Sequence, residues 1–199
     1  MSLTVITYDG VMGRWEPDAR GRLEQAAMVL YVDRGFEQTT VAEIAERAGL
    51  TERTFFRHFA DKREVLFSGA GALQELMVGA VRDAPASLSP YDVIALAVGA
   101  AGNAIGSGPE RARLRQRVID DNDDLKEREL IKLATLANAL SRALHERGVD
   151  VPTASLAAEA GVAVFRVAFE RWVRGPVDTR LVDVINESLD ALSTITKRP

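Results

Sequence analysis

Cysteine is missing from the 199-residue chain, which excludes a disulfide framework and any zinc or iron-sulfur site built on thiolates. Histidine is nearly missing, with only His58 and His145. There is no Gly-x-Ser-x-Gly elbow and no glycine-rich phosphate loop, so no nucleophile and base pair is recognisable. The expectation is a protein that is not an enzyme and carries no cofactor. Asp120, Asn122 and Asp124 imitate the start of a calcium loop, but Leu125 stands where glycine is required and Ile131 where the bidentate glutamate belongs. No metal is expected there. The first residues show no basic segment leading into an apolar one, and no uninterrupted apolar run reaches the roughly 18 residues that cross a bilayer. A cytoplasmic protein without a membrane partner is expected. Alternating strand patterns, internal repeats and low-complexity tracts are absent as well.

What is present is a chain 47% apolar with a formal net charge of -4, enough for a real core and at first sight unsuited to nucleic acid. The charge is unevenly placed. From Thr51 to Arg63 the cations Arg53, Arg57, Lys62 and Arg63 face only Glu52 and Asp61, whereas the chain from Glu64 onward is net acidic. A cationic face on an acidic body fits a DNA footprint, and solvated helix ends would look the same.

Met1 to Trp15 has no period and reads as a flexible arm. A helix begins around Pro17-Asp18, repeats Leu23, Ala26, Ala27, Leu30 and Tyr31 at helical steps, and stops at Gly35. Thr40-Val41-Ala42-Glu43 is a capping box that opens a second helix with Val41, Ile44, Ala45 and Ala48 inward. Gly49 permits the left-handed backbone of a sharp exit. Thr51 caps a third helix on which Phe55 and Phe59 face inward, leaving Glu52, Arg53, Phe56 and Arg57 largely outward. Asp61 and Glu64 repeat the capping logic and predict a long fourth helix through Val65 and Val81 to Ala84. Five more apolar helical runs follow, punctuated by Gly106-Ser107-Gly108-Pro109, Gly148 to Pro152 and Gly175-Pro176. The fold class is all-α with about nine helices. Its expected division is an arm over 1–15, a helix-turn-helix unit over 16–62, and a larger helical bundle over 63–199.

Two short helices joined by a glycine turn, the second presenting cations near its N-terminus, suit a DNA major groove. Arg53 and Arg57 lie one turn apart on one face, and an arginine fork reads guanine O6 and N7 with about 1 to 3 kcal/mol of discrimination. Glu52 suits a cytosine amino group or orients a neighbouring arginine.

The run GFEQTTVAEIAERAGLTERTFFRHFADKREVLF, Gly35 to Phe67, closely resembles the tetracycline-repressor (TetR) family of bacterial regulators. The resemblance covers the N-terminal third in detail; the rest matches in length and in helix content and order. It implies phosphate contacts for Thr40, Thr54, His58 and Lys62, with Lys62 at the start of the fourth helix. It implies groove-facing positions for Thr51, Glu52, Arg53 and Arg57. Phe56 stands where the family usually has a phosphate-binding tyrosine, so it offers apolar contact only; core and groove placement are both open for it. The resemblance further implies a homodimer on a pseudo-palindromic operator, and a repressor released by an unknown small-molecule effector. The alternatives are a regulator of the same fold controlled by a protein partner or by none, and an enzyme built on the bundle.

In the larger unit, Ile94, Val98, Ala101 and Ile105 with Leu133, Leu136, Leu140 and Leu144 either surround an effector cavity or fill one another. Asn103 and Asn138 are the polar candidates for effector contact. Arg111, Arg113, Arg115 and Arg117 alternate along a helix and read as a solvated surface. The last two helices carry Ala157, Ala160, Val164, Ala168 and Trp172 on one and Leu181, Ile185, Leu189 and Leu192 on the other. These faces, with Gly161 allowing close approach, suit a four-helix dimer interface or packing inside one protomer.

Overall fold

The computed structural model describes residues 18–106 and 109–196, so the expected arm over 1–15 lies outside the described residues. These form nine helices and no strand. In chain order they are α1 (Ala19–Arg34), α2 (Val41–Arg47), α3 (Glu52–His58), α4 (Ala70–Asp83), α5 (Pro90–Ile105), α6 (Pro109–Asp120), α7 (Asp123–Glu146), α8 (Val151–Arg174) and α9 (Leu181–Thr196).

Two cores organise them. The first is a head in which Leu23, Leu30 and Tyr31 of α1 meet Ile44 of α2 and Phe55 and Phe59 at α3. It is completed from outside the helix-turn-helix by Val65, Leu66 and Phe67, and by Val118, Ile119 and Leu125 from the α6–α7 corner. The second core joins α4, α5, α7, α8 and α9 through residues such as Met77, Ile94, Val98, Leu140, Phe165 and Ile185. The apolar faces of the fifth and seventh helices are therefore packed into this shared core, with α4 and α8 against both: Ile94, Val98, Ala101, Leu136, Leu140 and Leu144 are all buried, while Ile105 and Leu133 are half-buried.

The faces expected at a dimer interface are largely engaged inside the protomer. Val164, Ala168 and Trp172 of α8 and Leu181, Ile185 and Leu189 of α9 are buried. Gly161 serves a close approach within the chain, since a Cβ there would lie 2.2 Å from Cγ2 of Ile94 on α5. Helix α8 is long and apolar enough by composition to cross a bilayer, and its apolar side is the middle of this core. Its outward side retains Leu156, 73% exposed, and Val167, 43% exposed, about three turns apart along one stripe with the exposed Ala163 between them.

The long fourth helix predicted from Asp61 is interrupted. Asp61 does cap, accepting from the backbone N–H of Arg63 at 2.8 Å and of Glu64 at 3.1 Å. Residues 62–69 nevertheless remain in turns, and α4 starts at Ala70. The bonds along the stretch close over three residues, Leu66 to Arg63, Phe67 to Glu64 and Ala70 to Phe67. The carbonyls left over go elsewhere: Leu66 accepts from Arg115 Nε and Ser68 from Arg20 Nη2, both at 2.7 Å. Gly69 and Gly71 lower the helical propensity further.

Candidate nucleic-acid interface

The reading unit is set by local chemistry. Thr40 and Glu43 form the reciprocal box at the start of α2, with Thr40 N–H donating to the Glu43 carboxylate at 2.8 Å and Glu43 N–H to the Thr40 hydroxyl at 3.2 Å. Such a cap contributes about 1 kcal/mol. These hydrogen bonds outweigh the opposing effect of burial and hold the Glu43 carboxyl below its ordinary value, with Arg34 assisting. Gly49 has φ +65°, the left-handed turn between α2 and α3. Arg22 of α1 reaches over this turn and donates to the carbonyl of Ala48. Thr51 then caps α3 by accepting from Thr54 N–H at 3.2 Å, and the two hydroxyls share a 3.1 Å bond.

Phe55 and Phe59 are 0% and 4% exposed and anchor α3 on the head. Glu52, Arg53 and Arg57 consequently stand on the exposed side. Phe56 joins them: it is 55% exposed and only its edge meets Phe55, with centroids 5.5 Å apart. Among the described residues neither Arg53 nor Arg57 enters an ion pair. Two guanidinium groups without internal partners on one outward helix face are free to meet an external anion or a base edge.

Lys62 and His58 are placed differently from the rest. Lys62 lies in the turn segment, not at the start of a fourth helix. Its ammonium donates to the carbonyls of Phe36, Glu37 and Thr39 at 2.8, 3.2 and 3.0 Å and stands 4.3 Å from the Phe36 ring. Tyr31 closes the loop from the other side, donating its hydroxyl to the Lys62 carbonyl at 2.7 Å. Burial pushes the Tyr31 phenol well above its ordinary value, with Asp61 adding to the shift. Three N–H donors on three carbonyls make Lys62 a brace between the α1–α2 loop and the chain leaving α3. His58 is half-buried, and its Nε2 is covered by protein with no hydrogen-bond partner. The Arg22 and Lys62 contacts had no local signal, because each joins positions 26 residues apart.

The head is also held from the bundle. Arg111 of α6 pairs with Glu24 of α1 at 2.8 Å. Arg115 donates to Leu66, pairs with Glu129 at 3.1 Å and stacks 5.1 Å above the Phe67 ring. Burial lowers the Arg115 pKa, and Glu129 opposes that shift. Glu64 receives Arg128 and Lys132 of α7. Burial alone would raise the Glu64 pKa; the hydrogen bonds from these two cations outweigh it and hold the carboxyl below its ordinary range. The alternating arginines expected as a solvated surface thus include ties to the head, a correction that extends to Arg113, which donates to Gly175 at 2.7 Å. Asn103 and Asn138 are exposed and line neither of the two clefts described in the bundle. Among the described residues no cluster of three or more His, Asp or Glu forms a metal cage.

A short outward helix bearing unpaired arginines, locked by caps and braces onto a compact head, defines a helix-turn-helix DNA-binding transcriptional regulator. The model of bacterial regulatory proteins of the tetR family matches residues 24–68. The HTH-type transcriptional regulator TcmR of Streptomyces glaucescens is 30% identical over 186 residues, 87% of this chain and 82% of that protein. Among solved structures, the fatty acid degradation regulator FadR of Bacillus halodurans superimposes with a TM-score of 0.62 at 17% identity, covering 92% of this chain and 99% of that one. FadR of Bacillus subtilis, solved with stearoyl-CoA, gives 0.60 at 22% identity over 86% and 96% of the two chains. The chain belongs to the tetR family of bacterial regulatory proteins.

Proposed function

We propose that the protein is a homodimeric, cytoplasmic repressor that binds a pseudo-palindromic operator and is released from it by a small molecule, with no catalytic role. Residues 16–62 read DNA, and 63–199 sense the effector and dimerise. Arg53 and Arg57 make the sequence-selective contacts, assisted by Glu52 and by apolar contact from Phe56. Thr40 and Thr54 approach the phosphates near the starts of α2 and α3, and Thr51 faces the groove. His58 and Lys62 shape the surface that positions them.

The observation that carries this reading is the outward face of α3, where two arginines without an internal partner flank an exposed phenylalanine. One such helix offers few base contacts. Two copies about 34 to 36 Å apart reach successive major grooves, which is why a dimer is required. The outward stripe of α8 with Leu156 and Val167, together with α9, supplies an apolar surface for it.

The test is selection of bound fragments from the genome that encodes the chain. The expected result is an enriched inverted repeat with half-site centres about 10 base pairs apart or a multiple of that. Enrichment without any inverted repeat, or no enrichment above input, overturns the reading.

A further inference from the structure

Helix α6 has two working faces. Arg111, Arg115, Val118 and Ile119 turn toward the head. Arg113, Gln116, Arg117 and Asp120, spaced three and four residues apart, line a cleft of about 600 Å³ between α6, α7 and α8. That volume is in the range of small-molecule sites.

The chemistry of the cleft is lopsided. Its carboxylates are engaged within the protein: Asp120 by Gln116, Glu129 by Arg115, and Glu170 by Arg166. Arg117 and Arg174 have no such partner among the described residues, and Arg113 Nε is buried without one. A second buried atom lacks a partner, Gln116 Oε1. The orientation of that amide is fixed, because its Nε2 faces two acceptors, Asp120 at 2.8 Å and Glu129 at 3.5 Å. The oxygen therefore asks for a donor. Leu130, Leu133 and Val173 give the same cleft an apolar wall.

We propose that this cleft binds an apolar or aromatic small molecule carrying both an anionic group and a hydroxyl. The anion meets Arg113, Arg117 and Arg174; the hydroxyl donates to Gln116 Oε1 once the ligand displaces the protein atoms that cover it; the ring or chain lies on Leu130, Leu133 and Val173. Occupation draws the cleft face of α6 toward the ligand, and the opposite face transmits the shift through Arg111 to Glu24 and through Arg115 to Leu66. This inference rests on the reading of the chain as a ligand-released regulator and names the class of ligand and the route of release.

The experiment uses the full chain and 6-hydroxy-2-naphthoate, with 2-naphthoate lacking the hydroxyl and 2-naphthol lacking the carboxylate. Binding is followed by calorimetry, and affinity for the selected operator is measured with and without the probe. The hydroxynaphthoate should bind, and each analogue should bind about tenfold more weakly. Arg117→Ala and Arg174→Ala should each weaken binding several-fold. Arg142→Ala, in the separate α4–α7 cleft, should not. Gln116→Leu should erase the preference for the hydroxylated acid while keeping 2-naphthoate binding. Saturation should loosen operator binding by about 5- to 150-fold. No binding tighter than millimolar, or equal effects of Arg142→Ala and Arg117→Ala, overturns the cleft assignment while leaving the operator result standing. Binding as described with unchanged operator affinity overturns the release mechanism instead.

Discussion

Replacing Lys62 with Met keeps the length and most of the apolar volume of the side chain and removes only the ammonium. That ammonium donates to three backbone carbonyls at 2.8 to 3.2 Å and lies 4.3 Å from the Phe36 ring. Hydrogen bonds from a charged donor contribute about 1.5 to 3 kcal/mol each. Three from one group do not add, since they share one desolvation cost, so the net loss is set at roughly 2 to 4 kcal/mol. For a chain of this size, about 3 kcal/mol lowers Tm by roughly 6 to 12 °C. Thermal unfolding followed by far-UV circular dichroism reads the shift. Hydrogen exchange should show the accompanying loss of protection confined first to residues 36–40 and 59–66. A Tm within about 1 °C of the parent, with affinity for every DNA sequence reduced alike, would refute the bracing role and return Lys62 to direct phosphate contact.

Three further outcomes follow from the same contacts. Gly49→Ala forces a side chain into φ +65° with its Cβ 2.8 Å from Arg22 Nη2; denaturant unfolding should show a loss of about 1 to 2 kcal/mol. Glu64 has a folded pKa below its ordinary 4.5 because Arg128 and Lys132 hold its charged form against burial. Its contribution is therefore complete above pH 4.5 and disappears as pH falls through the lowered folded value. The stability gap between the parent and Glu64→Gln should accordingly be widest near neutral pH and shrink in acid. Leu156→Glu, at the most exposed large apolar side chain of α8, should shift sedimentation from dimer to monomer at micromolar concentration. It should leave the helical circular dichroism unchanged.

The features legible in the sequence were those whose causes lie within a few residues. The capping box of Thr40 and Glu43, the left-handed Gly49, the cap at Thr51 and the inward pair Phe55 and Phe59 all depend on neighbours three or four positions away. They fix which side of α3 faces out, and with it Arg53, Phe56 and Arg57. The misreadings share the opposite property. A helix from Asp61 was the natural inference from its cap and apolar period, but Arg20 and Arg115 claim the carbonyls of Ser68 and Leu66 from 48 and 49 residues away. The alternating arginines of α6 look solvated when compared at steps of two. At steps of four, Arg111 with Arg115 and Arg113 with Arg117 share faces, one toward the head and one toward the cleft. Only the tertiary fold tells what those faces meet. Gly161 likewise announces a close approach without naming the partner, which is Ile94 of the same chain.

The account turns on the outward face of α3, and its most direct test is the affinity of Arg53→Ala for the selected operator and for a scrambled duplex at one fixed salt concentration. The prediction is a loss of about 1 to 3 kcal/mol on the operator, relaxed preference at one base pair of each half-site, and a far smaller change on the scrambled DNA. Parent-like binding curves on both duplexes, or an equal loss on both, would contradict the assignment of Arg53 as a reader of sequence.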